Sequence, residues 1–380
     1  MSLLKRILSL TFSIKFKKPK QCKLIVFDTD HIDLIENYII DNKINYSVFD
    51  YKKFIIYINI HFIIKFIANL FIYPLTLRNF FRDIYIIYLA TQIKFHNPKI
   101  ILTINDNNIL YHKLSGILKD INFLAIQNGT RELYQKNQMH FKVNHDYYFS
   151  FGEDDVKKQR SYGWKLSKPH PIGSLKLGIF LEKFNQYNKK FDICFLSDHT
   201  DDGITDKWWK AKSKIVDNAI AKFYKINKPS LIIALRSNRD SERKYFENLF
   251  GSDVSFSKPL YTQQAQGFES YMAAQESEVT LSFASTLLLE SLCIDTKSMC
   301  IDSTEDNVCF DFNTPIRYKY NNYEELEIKI FDLINQSQAE HKKNLGRFKV
   351  KAMNIDKKNL PHIYIRTIIN KLLTQHNIKS

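Results

Sequence analysis

Short, continuous apolar runs alternate with longer stretches of helical periodicity along most of the chain. In the first half the runs KLIVFD (23–28), YSVFDY (46–51), KIILTI (99–104), NFLAIQ (122–127) and DYYFSFG (146–152) predict buried strands. Between them HIDLIENYII, residues 78–96 and the stretch from Ile109 to Lys119 predict helices. The second of these stops at Asn97-Pro98, because a residue before proline is pushed out of the helical region. In the second half FDICFLS (191–197), SLIIALR (230–236), EVTLSF (278–283) and KSMCID (297–302) predict strands. Helices are expected at Trp208–Phe223, Arg239–Leu249 and in STLLLESL (285–292). Two more close the chain, near 324–336 and 360–376, the last amphipathic through Ile363, Ile365, Ile369, Leu372 and Leu373. Strands separated by helices imply parallel sheets covered on both faces.

This pattern divides the chain into a basic N-terminal segment (1–22), a first Rossmann-like domain (23–175), a linker (176–190), a second Rossmann-like domain (191–340) and C-terminal helices (341–380). At 380 residues and 44% hydrophobic the chain is long enough for two cores. Phe54 to Leu75 is the one candidate membrane span, but His61, Lys65 and Asn69 recur at i, i+4 and i+8. A polar stripe of that kind suits a core helix better than a lipid-facing one, and a monotopic contact stays open. Leu3, Leu4, Ile7 and Leu8 are spaced as on one helix face, among Lys5, Arg6, Lys15, Lys17, Lys18 and Lys20. Two readings of that segment stand: a basic amphipathic element resting on anionic lipid, or a solvated terminus. The apolar run is too short for a signal peptide.

Composition narrows the partners. Lys and Arg exceed Asp and Glu by 55 to 40, a formal charge of +15, which favours anionic ligands. No nucleic-acid module accompanies the charge, so nucleic acid is not an expected partner. The five cysteines, Cys22, Cys194, Cys293, Cys300 and Cys309, include no CxxC pair, which argues against a zinc site or a disulfide framework and suits a reducing cytoplasm.

Open α/β sheets bind ligands beyond the carboxyl ends of their strands, and here those segments are polar: NDNN (105–108), QNGTRE (127–132), SDHTDD (197–202), RSNRD (236–240) and ASTLLLE (284–290). Ser285 and Thr286, where a strand passes into a helix, suit either a phosphate held at a helix N-terminus or plain capping. Glu290, one turn further, is placed to accept hydrogen bonds from a ribose. Arg236 offers a forked donor to phosphate, with a surface ion pair as the alternative. Ser197 and His199 begin another loop within reach of the same donor. On the first domain Asp106 is a candidate general base toward a sugar hydroxyl, directly after KIILTI and so expected to project into the cleft. Asn128 and Glu132 are further catalytic candidates, and Asn105 and Arg131 acceptor-binding ones; Asx helix capping is the competing explanation for Asp106 to Asn108.

The ordered set ILTINDNN, AIQNGTRE, YYFSFGEDD, YGW, PIGSLK and SFASTLLLESL resembles the bacterial surface-carbohydrate biosynthesis proteins with the GT-B glycosyltransferase fold. That resemblance runs from about residue 23 to 303. It implies two Rossmann-like domains facing across a cleft, with a C-terminal helix crossing back to the first. It also implies an acceptor side on the first domain and a nucleotide-sugar site on the second. No obligatory metal or other cofactor is expected, since such enzymes usually stabilise the leaving phosphate with helix N-termini and basic side chains. The Ser-Thr pair followed by Glu290 is similar to the donor segment of transferases that use CMP-activated ulosonic acids, although LRSN stands where some of those have a His-Pro pair. The expectation is thus a cytoplasmic, metal-independent glycosyltransferase at the inner face of the membrane. It would build a surface polysaccharide, lipopolysaccharide or capsule on a glycan or lipid-linked acceptor. The alternatives are a polyol-phosphate transferase with a CDP-activated donor and a non-catalytic carbohydrate-binding or assembly protein of the same fold.

Overall fold

A computed structural model of the chain describes residues 11–51, 53–73, 80–130, 143–184, 187–199, 207–236, 239–257, 267–304, 310 and 314–375. Its first half contains β1 (Thr11–Lys15), β2 (Leu24–Phe27), α1 (Ile32–Tyr38), β3 (Tyr46–Phe49), β4 (Lys53–Tyr57), α2 (Ile60–Ile72), α3 (Phe80–His96), β5 (Ile100–Thr103), α4 (Ile109–Ile117), β6 (Asn122–Ile126), β7 (Asn144–Ser150), α5 (Glu153–Ser161) and β8 (Lys165–Pro171). After α6 (Leu175–Lys183) come β9 (Phe191–Leu196), α7 (Lys207–Asn227), β10 (Leu231–Ala234), α8 (Asp240–Phe250), β11 (Ser255–Phe256), α9 (Glu269–Gln275), β12 (Ser277–Ser282), α10 (Leu287–Ser291), β13 (Lys297–Asp302) and β14 (Arg317–Lys319). The chain closes with α11 (Tyr323–Asn335), α12 (Gln338–Leu345), α13 (Phe348–Ala352) and α14 (Pro361–Gln375).

Two parallel six-stranded sheets result, β3-β2-β5-β6-β7-β8 and β11-β10-β9-β12-β13-β14, with β1 and β4 forming a separate parallel ribbon. The central strands LIVF, IILT and LIIA are buried at every position. That is what a parallel sheet with helices on both faces requires, and it explains why these runs are continuously apolar rather than alternating. A single apolar cluster joins the halves, running from Leu24 under the first sheet through Ile179 of α6 and Ile365 of α14 to Ile193 of the second sheet.

The last helix lies against the first domain. Arg366 donates through Nε and Nη2 to the Tyr38 carbonyl at 3.2 and 2.5 Å, and the Tyr364 hydroxyl lies 3.0 Å from His170 Nδ1. The chain approaching it passes so near Gly152 that a Cβ there would sit 1.9 Å from the Lys351 carbonyl oxygen, so only glycine fits.

Residues 176–190, expected as a linker that starts as a helical stretch, do start in a helix, α6, whose cap Ser174 accepts from the Leu177 amide at 3.4 Å and which is packed into the shared apolar cluster. Several other expectations need correcting. β8 was not expected because Pro169 and Pro171 argue against a central strand, and the chain resolves the conflict by using β8 at the sheet edge. The helix expected in STLLLESL is only the five residues of α10 followed by one 3-10 turn. In α2 the polar stripe does not share one face: His61 and Lys65 are exposed, while Asn69 is buried and donates to Thr91 Oγ1 at 2.8 Å. Eight residues carry a helix about 80° past two full turns, enough to separate the ends of such a stripe. Of the basic N-terminal segment, Leu3 to Leu8 lie outside the described residues, and Thr11–Lys15 are a strand.

Candidate functional site

The strand orders fix where a ligand belongs. In each sheet the order reverses once, between β2 and β5 in the first and between β9 and β12 in the second. A crevice opens at such a switch point, outside the carboxyl ends of the strands. The strand-end loops of the two domains meet close to these crevices: the Thr130 amide, beyond β6, donates to Thr286 Oγ1, beyond β12, at 3.1 Å. Half-buried Lys176, at the start of α6, lies within electrostatic reach of His31 and Asp33 on one side and Glu290 on the other.

The second crevice is cross-braced. Half-buried Asp198 accepts from Ser282 Oγ at 2.7 Å and from the Ala284 amide at 3.0 Å, tying the β9 loop to the β12 loop. Its carboxyl is raised above the usual range by desolvation, against the lowering pull of Ser282, Ala284 and the Arg236 charge. Next to it, Glu242 of α8 is 1% exposed and accepts from Ser197 Oγ at 2.5 Å and from the Arg236 amide at 2.9 Å. One carboxylate therefore holds the ends of β9 and β10. His199 stacks on Tyr245 at 4.3 Å, and the Tyr245 hydroxyl donates to Asp217 Oδ2 at 2.9 Å. Burial drives Asp217 up to about 7.

Of the expected donor residues, Ser197 is thus committed to Glu242 and His199 to its aromatic neighbour, while the Arg236 side chain is exposed on the rim. Ser285 accepts from the Leu287 amide at 3.3 Å and Thr286 from Thr130. Both hydroxyls act as acceptors in these bonds, Ser285 in the manner of a cap, and α10 is only five residues long, so the helix that follows them is a short one. The expectation for Glu290 is corrected. Rather than facing a ribose it is 5% exposed and accepts from the Tyr271 hydroxyl at 2.7 Å, with its carboxyl raised by burial despite Ser174, Tyr271 and Lys176.

The first crevice differs from expectation most at Asp106. Its side chain is fully buried, turned into the domain, and its Oδ2 accepts from the Tyr148 hydroxyl at 2.8 Å; Gln159 Nε2 donates to that same hydroxyl at 2.6 Å. The expectation that Asp106 projects into the cleft is overturned by the loop: Asn105 N turns back onto Thr103 Oγ1 at 3.0 Å, and Asn108 caps α4 by accepting from Leu110 and Tyr111 amides. Asn105 is half-buried and Asn128 exposed at the strand ends. Arg131 and Glu132 lie outside the described residues.

Among the described residues, an exposed titratable side chain beyond β2 at this crevice is His31, within electrostatic reach of Lys176; sequence reasoning passed over it as the first residue of a helix. The loop Asp28 to His31 carries two left-handed non-glycine residues, Asp28 at φ 90° and His31 at φ 57°. The Asp28 carboxylate accepts from the Thr29 amide at 2.6 Å and holds the turn. His31 is solvent-accessible, yet the surrounding protein desolvates it and, with the Lys176 ammonium, pushes its imidazole down to about 4, against the pull of Asp33, Asp30 and Asp28. It is therefore neutral at physiological pH. The signal available was its place directly after the first strand. For Lys176 the signal was its place in PIGSLK; for Glu242 and Asp217 there was none, since their inward direction follows from helix packing.

No protein-family model matches the sequence, and no curated protein matches it. Among solved structures the chain is similar to UDP-GlcNAc 2-epimerase from Neisseria meningitidis bound to UDP-GlcNAc (TM-score 0.52, 14% identity, 93% of this chain and 99% of that one). It is similar as well to MnaA of S. aureus with UDP (TM-score 0.53, 12% identity, 94% and 97%). The wall teichoic acid polymerase TagF soaked with CDPG gives TM-score 0.53 at 12% identity, over 94% and 90%. With the two facing sheets, this defines the class: the chain has the GT-B fold, two Rossmann-like domains and a returning C-terminal helix.

Proposed function

We propose that the protein is a glycosyltransferase of surface-glycan synthesis that takes its sugar from a nucleotide donor. The observation that carries the reading is the meeting of strand-end loops close to two switch-point crevices, the first offering a neutral imidazole and the second an exposed guanidinium. The nucleotide would lie over the β9 and β12 loops, with Arg236 and Lys176 compensating the negative charge that develops on its phosphate as the glycosidic bond breaks. His31 would take the proton from the acceptor hydroxyl as the new carbon–oxygen bond forms, and return it to solvent. Fixed cations of this kind make a metal-independent transfer chemically reasonable. A CMP-activated ulosonic acid remains among the donors of interest. The second reading, a polyol-phosphate transferase with a CDP-activated donor, draws support from the fold shared with the teichoic acid polymerase.

The test is a thermal-shift and calorimetric screen of the full chain against CMP, CDP, UDP, GDP and their sugar conjugates. A ligand that binds only the folded state adds about 2.7 kcal/mol at a hundredfold excess over its Kd. One nucleotide class should shift the melting temperature, and Arg236→Ala should weaken it about 10- to 100-fold with the apo melting temperature unchanged. If no nucleotide shifts the protein, the reading is lost; if product mass shows a phosphodiester, the second reading replaces the first.

A further inference from the structure

The outer face of the first domain carries an apolar surface that the nucleotide cleft does not use. α2 packs inward through Phe62 and Asn69, as its buried residues show. Yet its outward face is also apolar: Ile60, Ile63, Ile64, Ile67 and Phe71 recur at i, i+3, i+4, i+7 and i+11, and Phe71 is 88% exposed. The patch continues past the helix start, where the Ile58 amide donates to the Lys15 carbonyl at 2.9 Å and brings Phe16, 72% exposed, beside Ile58. At the other end Phe81, 74% exposed, opens the helix packed against α2. A contiguous exposed apolar patch of this kind marks a docking surface rather than ordinary surface scatter.

Charge identifies the occupant. Among the described residues of 11–27 and 51–82 the charged ones are Lys15, Lys17, Lys18, Lys20, Lys23, Lys53, Lys65 and Arg82, with Asp83 following next and paired with Arg82 at 3.8 Å, and Asp50 paired with Lys53 at 3.4 Å. Lys15, Lys17, Lys18 and Lys20 are exposed beside Phe16. Along the flank of α2 a groove of about 470 Å³ brings His61, Lys65 and Lys94 together with Ile64 and Ala68, pairing cations with hydrocarbon. A protein partner would ordinarily be met by charges of both signs. An apolar stripe bordered mainly by cations complements a surface that is apolar within and anionic at its rim. The helix is 13 residues long, about 20 Å, too short for the ~30 Å hydrocarbon core, so it suits lying in the plane of the interface.

We propose that α2, with Phe16 and Phe81 at its ends, docks the protein in plane onto an anionic phospholipid bilayer. The apolar side chains enter the level of the acyl boundary, and the lysines around them meet the headgroup phosphates. This inference stands apart from the proposed chemistry, and its test does not require turnover.

Full-length protein is sedimented with vesicles of equal phosphatidylglycerol and phosphatidylcholine, and with vesicles of phosphatidylcholine alone, at low and high ionic strength. Binding is expected to the anionic vesicles only and to weaken as salt screens the lysines. The combined variant Ile64→Glu, Ile67→Glu and Phe71→Glu should keep its circular dichroism and melting temperature, since all three face solvent, and lose at least tenfold in partition. Lys15→Gln, Lys17→Gln and Lys18→Gln should each lose roughly fivefold, a second series that keeps the helix untouched. Absent binding, equal binding to neutral vesicles, or binding that survives both sets of substitutions would overturn the proposal. A dimer in solution that the Glu variant dissolves, with vesicle binding unaltered, would assign the face to a second copy of the chain.

Discussion

The two switch-point crevices are built on opposite plans. In the second domain Glu242 and Asp198 reach across from one strand end to the next and fasten loop amides and hydroxyls, so the polar residues there fix backbone. In the first, the Asp28–His31 loop holds two non-glycine residues in the left-handed region and turns a titratable ring to solvent. Each such residue costs on the order of 1 kcal/mol, and such strain gathers where a chain keeps a group aimed at a ligand. The difference teaches that polarity after a strand has two uses, bracing and presenting, and that only direction in the fold tells them apart.

The largest expected effect breaks this contrast at its presenting end. His31→Asn keeps a residue tolerant of left-handed φ but removes the imidazole, so turnover should fall ~10²–10⁴-fold while stability stays level. Steady-state rates set beside a denaturation curve will tell, and a variant within a few-fold of wild type removes His31 from the chemistry. The acid limb of the wild-type pH–rate profile should lie below that of an ordinary histidine, since desolvation and the Lys176 charge hold the imidazole down.

Next in size is the brace. Glu242→Ala leaves the Ser197 hydroxyl and the Arg236 amide without their acceptor in a buried place, at about 3 kcal/mol, and urea denaturation should register it. A loss under 1 kcal/mol would mean that the β9 and β10 ends are held by something else.

Asp217 sharpens the comparison through pH. Its folded value, about 7, lies above that of an unfolded aspartate, so between about pH 4 and 7 the folded state retains a proton that the unfolded chain has released. Stability from this group is therefore present at low pH and lost as pH rises through that window, by on the order of 4 kcal/mol. Asp217→Asn should flatten the slope; matching slopes in urea melts at pH 5 and 7.5 would count against the assignment.

The smallest effect is expected at Asp106. Asparagine preserves an acceptor for Tyr148, so Asp106→Asn should cost about 1 kcal/mol and leave turnover within a few-fold. A full loss of turnover with an unchanged melting temperature would restore Asp106 as the base.

The fold was legible in the sequence where burial is complete. LIVF, IILT and LIIA, the centres of KLIVFD, KIILTI and SLIIALR, are buried at every position, and no competing signal blurs them. β8 was hidden by its prolines, and α2 by being apolar toward both protein and solvent, which periodicity alone reads as a core helix. At the site, the polar loops were correctly located but their side chains were not. Asp106 and Glu290 lie in the expected segments and point inward, to Tyr148 and Tyr271, because partners distant in sequence set the rotamer. Lys176 was obscured by reading its segment as a linker, and His31 by reading it as the start of a helix.

The returning helix makes the first domain a product of two stretches of chain far apart in sequence. Ile365 and Ile369, both fully buried, fill the groove that α1 and α6 leave open. During synthesis that groove forms early and waits for roughly two hundred further residues, about 10 to 40 s at ordinary elongation rates. Throughout that interval the nascent domain presents an unfilled apolar trough at the ribosome, which makes it a natural client for a chaperone. It also means that the first half, expressed without Pro361–Gln375, lacks part of its own interior.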